Sequence, residues 1–292
     1  MRPLIVLVAV TAVWGVTFVQ VKDAVALYPL FAFLAVRFAI ASCALAPVGL
    51  GRLRGLRRKG LAAGAFAGAL LGAGYALQTA GLERTSVSST GFITGMYVVL
   101  TPLFALALFR VQAARAAWVG VALATAGLVL LSGGVHAGTL VGDLLVLAGA
   151  AVYSLQIVLM ERFAPRYDAI AFTLVEMVAA CAGLLVVAIS AGQLTWPHGW
   201  TVWGALLVTG VFASALAFLA QTWAQRRATA TQTALAFSLE PVWTAFFGFT
   251  LAADRLGGLA WIGCAVIMAG IVVAEPAAGN ALRRVVRRPQ VT

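Results

Sequence analysis

Ten long apolar runs divide the sequence, and they restrict what the chain can fold into more than any other feature. A transmembrane helix needs about 20 predominantly apolar residues. Of the 292 residues, 63% are hydrophobic and 10% are charged, whereas a soluble domain is about 45–50% apolar and about 25% charged. The sequence therefore predicts an all-α integral membrane protein with ten transmembrane helices. The predicted spans lie near residues 4–21, 29–50, 61–81, 86–109, 113–131, 140–160, 169–191, 200–224, 229–252 and 256–274.

The basic residues are distributed unevenly between the two sides of these spans. If the spans alternate in direction, sixteen of the 20 Lys and Arg residues fall on one side, including the cluster at 52–59 and the tail at 283–288. Cytoplasmic loops carry the Lys/Arg excess, so both termini are predicted to be cytoplasmic in a multi-pass plasma (inner) membrane protein. The net charge of +11 is then a topology signal, and we expect the lipid bilayer and no nucleic acid as a partner.

The sequence also contains a weak internal repeat. A shift of 139 residues aligns Trp14 with Tyr153 and Arg37 with Glu176, and a shift of 143 aligns Gln78 with Gln221. The halves, 1–136 and 137–292, contain five predicted spans each, and the second half carries the basic cytoplasmic tail. Because five is an odd number, the second half would enter the membrane from the opposite side. A 5+5 inverted repeat of this kind is typical of secondary transporters, with a substrate site between the halves.

Three charged residues are predicted to lie within the spans, where charges are costly and usually functional. Arg37 and Glu176 lie at mirrored depths in the second and seventh spans, and Glu240 lies near the middle of the ninth. Pro241 follows Glu240 and should kink this helix and free a backbone carbonyl group. Glu240 is predicted to bind a cationic group of the substrate or to carry a coupling proton.

Arg37 has two interpretations. Its guanidinium group could hold a substrate carboxylate through two hydrogen bonds, or it could pair with Glu176 and fix the packing of the second and seventh spans. The sequence favours the pair, since an unpaired charge in lipid is the costly case.

Five aromatic residues lie far from the predicted interfaces: Trp14, Tyr75, Tyr97, Tyr153 and Trp243. Buried Tyr and Trp side chains need a polar partner, so these residues could line a cavity or pack between helices. Together with Arg37, Glu176 and Glu240 they form the predicted substrate site. Gln20, Gln78, Gln156 and Gln221 lie nearer the span ends and are weaker candidates.

Other kinds of site lack support in the sequence. The three cysteines are far apart, and both histidines lie in predicted loops, so we expect no metal site and no cofactor. The nucleophile–base pairs of an enzyme and the Gly-rich loop of an ATPase are absent from the sequence. A channel would show a span that is polar along one full face, and none of the predicted spans shows this pattern.

The chain resembles the bacterial EamA-type, ten-span members of the drug/metabolite transporter superfamily. The resemblance rests on WGVTFVQVKDA (14–24), VRFAIA (36–41), GFITGMYVVLTPLFA (91–105) and the segment 238–275, which begins SLEPVWTAFFGF. Asp254-Arg255 stands where the family usually has Glu-Arg. The resemblance implies a 5+5 inverted fold and the export or exchange of small metabolites.

These observations predict a secondary transporter that does not use ATP and is not an enzyme. We expect it to export amino acids, related metabolites or drugs by alternating access, driven by proton or counter-substrate coupling. Import or exchange of a sugar, nucleoside or vitamin is the alternative. A monomer is expected, with a dimer as the other option.

Overall fold

The computed structural model describes residues 2–85, 87–131, 139–251 and 257–274, and within these ranges the chain forms helices and no β-strand. A 3-10 segment, Leu50–Leu56, joins α2 to α3, and a π-helical segment, Val211–Leu216, joins α9 to α10. The α-helices are α1 (Arg2–Leu27), α2 (Leu30–Gly49), α3 (Arg57–Leu82), α4 (Val87–Gly95), α5 (Tyr97–Phe109), α6 (Arg115–Leu131), α7 (Leu140–Phe163), α8 (Ala169–Ser190), α9 (Trp200–Gly210), α10 (Ala217–Gln225), α11 (Ala230–Phe237), α12 (Glu240–Leu251) and α13 (Gly258–Ala274).

The prediction of a helical membrane protein is confirmed at the level of its class. Among the described residues, five helical stretches are long and apolar enough to cross a membrane, and α1, bent by 41° after Phe18, would make a sixth. Each of the ten predicted spans coincides with one helix or with two successive helices. The number of crossings and the inverted repeat stay predictions. The five stretches are Leu30–Leu82, Ser89–Phe109, Leu140–Arg166, Ala169–Ser190 and Trp200–Gln225.

Polar side chains at the helix starts fix where several helices begin. Thr139 and Asp168 each accept a hydrogen bond from the backbone three residues on, at the starts of α7 and α8. Thr229 and Gln232 form a reciprocal capping box at the start of α11. Such bonds satisfy backbone N–H groups that have no partner within the helix.

Small residues allow α3 and α8 to approach closely. Gly64, Gly68 and Gly72 lie on one face of α3 against α8, and a Cβ atom on Gly68 would overlap the carbonyl oxygen of Glu176. Glycine at every fourth residue removes side chains from one helix face, which permits this close approach.

The helices α6 and α13 pack against each other through two glycine pairs. A Cβ atom on Gly120 would lie 2.6 Å from the carbonyl oxygen of Gly270, and one on Gly127 would lie 2.7 Å from that of Gly263. Shifting Gly120 and Gly127 by 143 residues gives Gly263 and Gly270. The sequence repeat therefore relates each of these two contacts to the other.

The apolar core surrounds the contact between α2 and α8. Phe33, Phe38, Met177 and Leu206 are fully buried there. Trp14, Tyr75 and Tyr153 pack against one edge of this core, and the cavities described next open beside them.

Candidate functional site

Two adjoining cavities lie at the centre of the described structure. Each has a cavity volume of about 40 Å³. Trp14, Tyr75, Gln78 and Glu240 line both. The first is also lined by Thr94, Tyr97, Tyr153, Gln156, Ile157, Phe218, Gln221 and Phe237. The second is also lined by Thr17, Phe18, Val21, Arg37, Thr79 and Leu82.

Arg37 contributes a buried cation to the second cavity, where its residue is 3% exposed. Its Nε donates a hydrogen bond of 2.8 Å to Ser214 Oγ in the π-helical segment, and its Nη2 donates one of 3.1 Å to the Tyr75 hydroxyl. The guanidinium carbon also lies 4.5 Å from the centre of the Tyr75 ring. These contacts use part of the guanidinium group, which has five N–H donors in all.

Glu240 is the first residue of α12 and lines both cavities. Pro241 cannot donate a backbone hydrogen bond to Phe237, and its ring would clash with that carbonyl group in a continuous helix. The chain accordingly leaves α11 after Phe237 and starts α12 at Glu240. The Tyr97 hydroxyl lies 2.6 Å from the Phe237 carbonyl oxygen, to which it donates, and 3.3 Å from Glu240 Oε2.

Two other aromatic residues that were predicted to line a cavity, Trp14 and Tyr153, make polar contacts as well. Trp14 Nε1 donates a 2.8 Å hydrogen bond to the carbonyl oxygen of Ala213 in the π-helical segment. The Tyr153 hydroxyl donates one of 3.1 Å to Gln78 Oε1. Both residues line the first cavity, and π-helical segments occur frequently at functional sites.

The predicted pair between Arg37 and Glu176 does not form, and this part of the sequence interpretation is wrong. Arg37 bonds to Ser214 and Tyr75, whereas Glu176 Oε1 accepts a hydrogen bond of 2.8 Å from Gln156. The depth of a residue along a helix can be estimated from the sequence. The direction in which its side chain points around the helix axis depends on contacts with neighbouring helices. Counting residues along a span does not include those contacts.

Two predicted site residues, Glu176 and Trp243, lie outside the linings of both cavities. Glu176 is completely buried behind Gln156. Trp243 stacks on Phe247 at 6.1 Å between ring centres, and its Nε1 is buried without a hydrogen-bond partner. Both residues face helix contacts in this conformation.

Three glutamines that the sequence ranked as weak candidates line the first cavity: Gln78, Gln156 and Gln221. Each is at most 9% exposed. Their burial between helices was not evident from their distance to the span ends. The alignment of Gln78 with Gln221 in the repeat was a signal for these two, and no such signal marked Gln156 in the sequence.

The two cavities together offer complementary chemistry to a ligand. A cation and a carboxyl group, Arg37 and Glu240, line the second cavity, and half of the residues that line the first are aromatic. Among the described residues, no group of three or more His, Cys, Asp or Glu could hold a metal ion. The arrangement is suited to binding a small molecule with two opposite charges and an apolar part.

The family and the named relatives that match this chain are all described as transporters. A family model described as the EamA-like transporter family matches residues 1–133 and 140–274. An uncharacterized transporter of Archaeoglobus fulgidus is 29% identical over 272 residues, which is 91% of this chain and 83% of that protein. The uncharacterized inner membrane transporter YedA of Escherichia coli K12 is 28% identical over 277 residues, covering 91% and 88%. A solved crystal structure at 21% identity superposes with a TM-score of 0.79 over 96% of this chain and 99% of its own, which supports the fold.

Proposed function

The chain belongs to the EamA-like transporter family, and from this premise we propose that it exports zwitterionic amino acids or close relatives as a secondary transporter. The transporter class, the multi-pass character and the inner-membrane location follow from the family, the apolar helices and the names of its relatives. The substrate, the direction and the mechanism are our proposal.

The observation that carries this proposal is the pair of opposite charges in the second cavity. Arg37, from the first half of the repeat, and Glu240, from the second half, both line this cavity. A guanidinium group is suited to a substrate carboxylate, and a carboxylate to a substrate ammonium group. A ligand carrying both groups would neutralise both buried charges at once.

The aromatic lining of the first cavity supports an apolar or aromatic substrate side chain. Trp14 lies 4.8 Å from Phe237 and 5.5 Å from Phe218 between ring centres, and Tyr75 lies 5.5 Å from Tyr153. Rings prefer such edge or offset contacts with another ring. We propose that the substrate side chain enters between these rings, while its charged end stays at Arg37 and Glu240.

Ten spans in an inverted repeat are part of the proposal. The stretch Leu30–Leu82 has 53 residues, more than twice the roughly 20 that one span needs, and the 3-10 segment within it contains a basic cluster. The contacts of α3 with α7 and α8 recur as contacts of α1 with α9 and α10, and of α2 with α9 and the π-helical segment. The two separate family matches to the halves also support the repeat.

Alternating access follows from such symmetry. The breaks before Tyr97 and before Glu240 begin α5 and α12 at positions related by the 143-residue shift, and the two side chains lie in contact. Discontinuous helices at a repeat interface are typical of transporter sites. We propose that bending at these two breaks opens the cavities to one side or the other.

Counterflow of radiolabelled phenylalanine in proteoliposomes tests the function. We expect saturable uptake that unlabelled phenylalanine stimulates from the opposite side. Phenethylamine, which lacks the carboxylate, and 3-phenylpropionate, which lacks the amine, should each compete about 10–100-fold more weakly, since a hydrogen bond to a charged group contributes about 1.5–3 kcal/mol. Competition by sugars or nucleosides, but not by amino acids, would support the alternative substrate class.

Two variants assign the charges. Arg37→Lys should weaken the binding of phenylalanine more than that of phenethylamine. Glu240→Gln should weaken the binding of phenylalanine more than that of 3-phenylpropionate. Arg84→Lys, in an exposed position at the end of α3, is the matched control. Direction is measured by comparing right-side-out with inside-out vesicles. Equal effects of Arg37→Lys on all three compounds would contradict the assignment of Arg37 to the carboxylate.

A further inference from the structure

Glu176 is a buried acid for which the proposed substrate site has no use. Its residue is 0% exposed, and its Oε1 accepts a 2.8 Å hydrogen bond from Gln156 Nε2. Its Oε2 is buried and has no hydrogen-bond partner. One carboxyl oxygen is therefore bonded to an amide, and the other is left without a donor.

No cation compensates this acid within the described residues. The helices and segments packed against α8 bring Arg37, Tyr75 and Tyr153 toward the centre, but Arg37 bonds to Ser214 and Tyr75, and Tyr153 bonds to Gln78. The π-helical segment and α10 contain no charged residue. In the 3-10 segment, Arg52 pairs with Asp168 at the start of α8. Within α8 itself, Cys181 donates to the carbonyl oxygen of Ala35.

A chain of buried amides connects Glu176 with the first cavity. Gln156 Oε1 accepts a 3.1 Å hydrogen bond from Gln221 Nε2, which also donates one of 2.9 Å to Gln225 Oε1. Gln225 Nε2 in turn donates to the carbonyl oxygen of Ile157 at 2.9 Å. Gln156 and Gln221 line the first cavity, so the amide that bonds to the Glu176 carboxyl group is part of the cavity lining.

The hydrogen bonds fit a neutral acid. A buried carboxylate without a cation and with one oxygen unpartnered carries a desolvation cost of several kcal/mol. In a protonated carboxyl group the carbonyl oxygen can accept the Gln156 hydrogen bond at the observed geometry, and the second oxygen carries the proton. One neutral O–H group is then left without a partner, which costs less than an unpaired buried charge.

We propose that Glu176 is a proton-binding site of the transporter, separate from the substrate-facing acid Glu240, and that Gln156 and Gln221 occlude its proton from the cavity. This inference rests on the proposed transport function. Release is a simple proton transfer, in which the O–H bond of the carboxyl group breaks and a cavity water takes the proton. It requires water at Glu176, and therefore a conformation in which the Gln156 amide has moved away.

Occlusion gives the site a coupling role. In the present conformation Glu176 cannot exchange its proton with the cavity, because the amide of Gln156 covers it. Opening of the cavity to either side would admit water and allow exchange with that side only. Proton movement across the membrane would then be linked to the same change that moves the substrate.

Infrared spectroscopy of the full chain in lipid bilayers tests the site without any substrate. We expect a carbonyl band of a protonated carboxyl group at neutral pH that disappears in Glu176→Gln and persists in Glu240→Gln. Glu83→Gln, at the exposed end of α3, is the matched control. A band that is retained in Glu176→Gln, or lost in Glu240→Gln alone, would overturn the assignment.

Gln156→Leu provides an independent test that does not alter the acid. Loss of the hydrogen bond to the carbonyl oxygen should shift the Glu176 band to higher frequency. An unshifted band would overturn the predicted contact. This measurement also keeps the proposal testable if Glu176→Gln does not fold.

Transport measurements separate this inference from the proposed function. In Glu176→Gln, phenylalanine counterflow should persist, whereas accumulation driven by a pH gradient should be lost. Absence of phenylalanine transport in the wild-type protein, together with the expected infrared band, would overturn the substrate proposal only. A sodium site is the outcome that would contradict the proton assignment. In that case the band is absent at neutral pH, and Na⁺, but not choline, raises the thermal stability of the wild-type protein and not that of Glu176→Gln.

Discussion

The Tyr97 hydroxyl group satisfies the backbone carbonyl that Pro241 leaves without its helical donor. It donates to the Phe237 carbonyl oxygen at 2.6 Å and touches Glu240 Oε2 at 3.3 Å. A hydroxyl group has one proton, so the carbonyl group receives the hydrogen bond and Glu240 faces the phenol oxygen. One side chain thus stabilises the helix break and positions the cavity acid beside it.

Tyr97→Phe should therefore lower the free energy of unfolding by about 1–3 kcal/mol, the cost of leaving a buried carbonyl group unsatisfied. Denaturation in SDS measures this change. Tyr167→Phe is the matched control, because Tyr167 stacks on Phe172 and its ring remains in the variant. A loss in Tyr97→Phe no larger than in Tyr167→Phe would contradict the assigned role.

Ser214 positions Arg37 through a single acceptor. Ser214→Ala removes the partner of Arg37 Nε, so we expect a loss of about 1–3 kcal/mol in unfolding free energy and weaker phenylalanine binding. Ser154→Ala is the control. Ser154 is equally buried but donates to the carbonyl oxygen of Ala150 in its own helix, and its loss should have little effect. Equal losses in the two variants would contradict the prediction.

At the scale of helices, glycine faces and helix breaks have opposite roles. The glycine face of α3 fixes α8 at close range, whereas the break between α11 and α12 interrupts a helix beside the cavities. The first kind of feature is expected to be rigid and the second to bend.

Gly68→Ala should lower the free energy of unfolding by about 1–3 kcal/mol, the usual cost of overpacking, because the new methyl group would overlap the carbonyl oxygen of Glu176. Gly183→Ala in α8 is the control, since a Cβ atom there meets nothing within 4 Å. That control should be neutral or more stable by about 1 kcal/mol, the difference in helix propensity. Thermal or SDS denaturation of both variants measures the contrast.

Pro241→Ala should restore a backbone donor to Phe237 and allow α11 and α12 to join. We expect unfolding free energy to rise by up to about 3 kcal/mol, the helix penalty of proline, and the rate of phenylalanine counterflow to fall. Pro47→Ala is the control, because Pro47 lies exposed inside α2, away from both cavities. An unchanged counterflow rate in Pro241→Ala would argue against bending at this break.

At the scale of the whole molecule, the two halves contact each other in an exchanged pattern. The backbone of Glu176 packs on Gly68, and that of Arg37 packs on Gly210. The repeat aligns Glu176 with Arg37, and a 142-residue shift aligns Gly68 with Gly210, one residue less than the shift for the glutamines. The π-helical segment that follows Gly210 absorbs such an offset. This exchange is what an inverted repeat with two nearly equivalent states requires.

The charge distribution makes a prediction about orientation in the membrane. A green fluorescent protein fused to the C-terminus should fluoresce, and alkaline phosphatase at the same point should be inactive, because the terminus is predicted to be cytoplasmic. Replacing the five basic residues between 52 and 59 with Gln should reduce correct insertion. Replacing Lys22, Arg84 and Arg255 with Gln is the control, since these residues belong to the opposite side. A phosphatase-active wild-type fusion would contradict the topology.

The sequence by itself determined that this protein lies in a lipid bilayer, that its fold is helical and which family it belongs to. Apolar runs of span length leave few alternatives to a helical membrane fold, because every backbone group in lipid must find its partner within a helix or a closed barrel. It also indicated five of the residues that line the first cavity, namely Trp14, Tyr75, Tyr97, Tyr153 and Glu240. For these, depth in a span and residue type were sufficient.

Only the tertiary structure decided which polar groups meet. Arg37 and Glu176 share a depth but not a direction, so the structure gives Arg37 to Ser214 and Tyr75 and Glu176 to Gln156. Gln78, Gln156 and Gln221 were weak candidates in the sequence, yet they line the first cavity, and Gln156 bonds to Glu176. Side-chain direction depends on how each helix is rotated against its neighbours, and glycine contacts and helix breaks distant in sequence set that rotation.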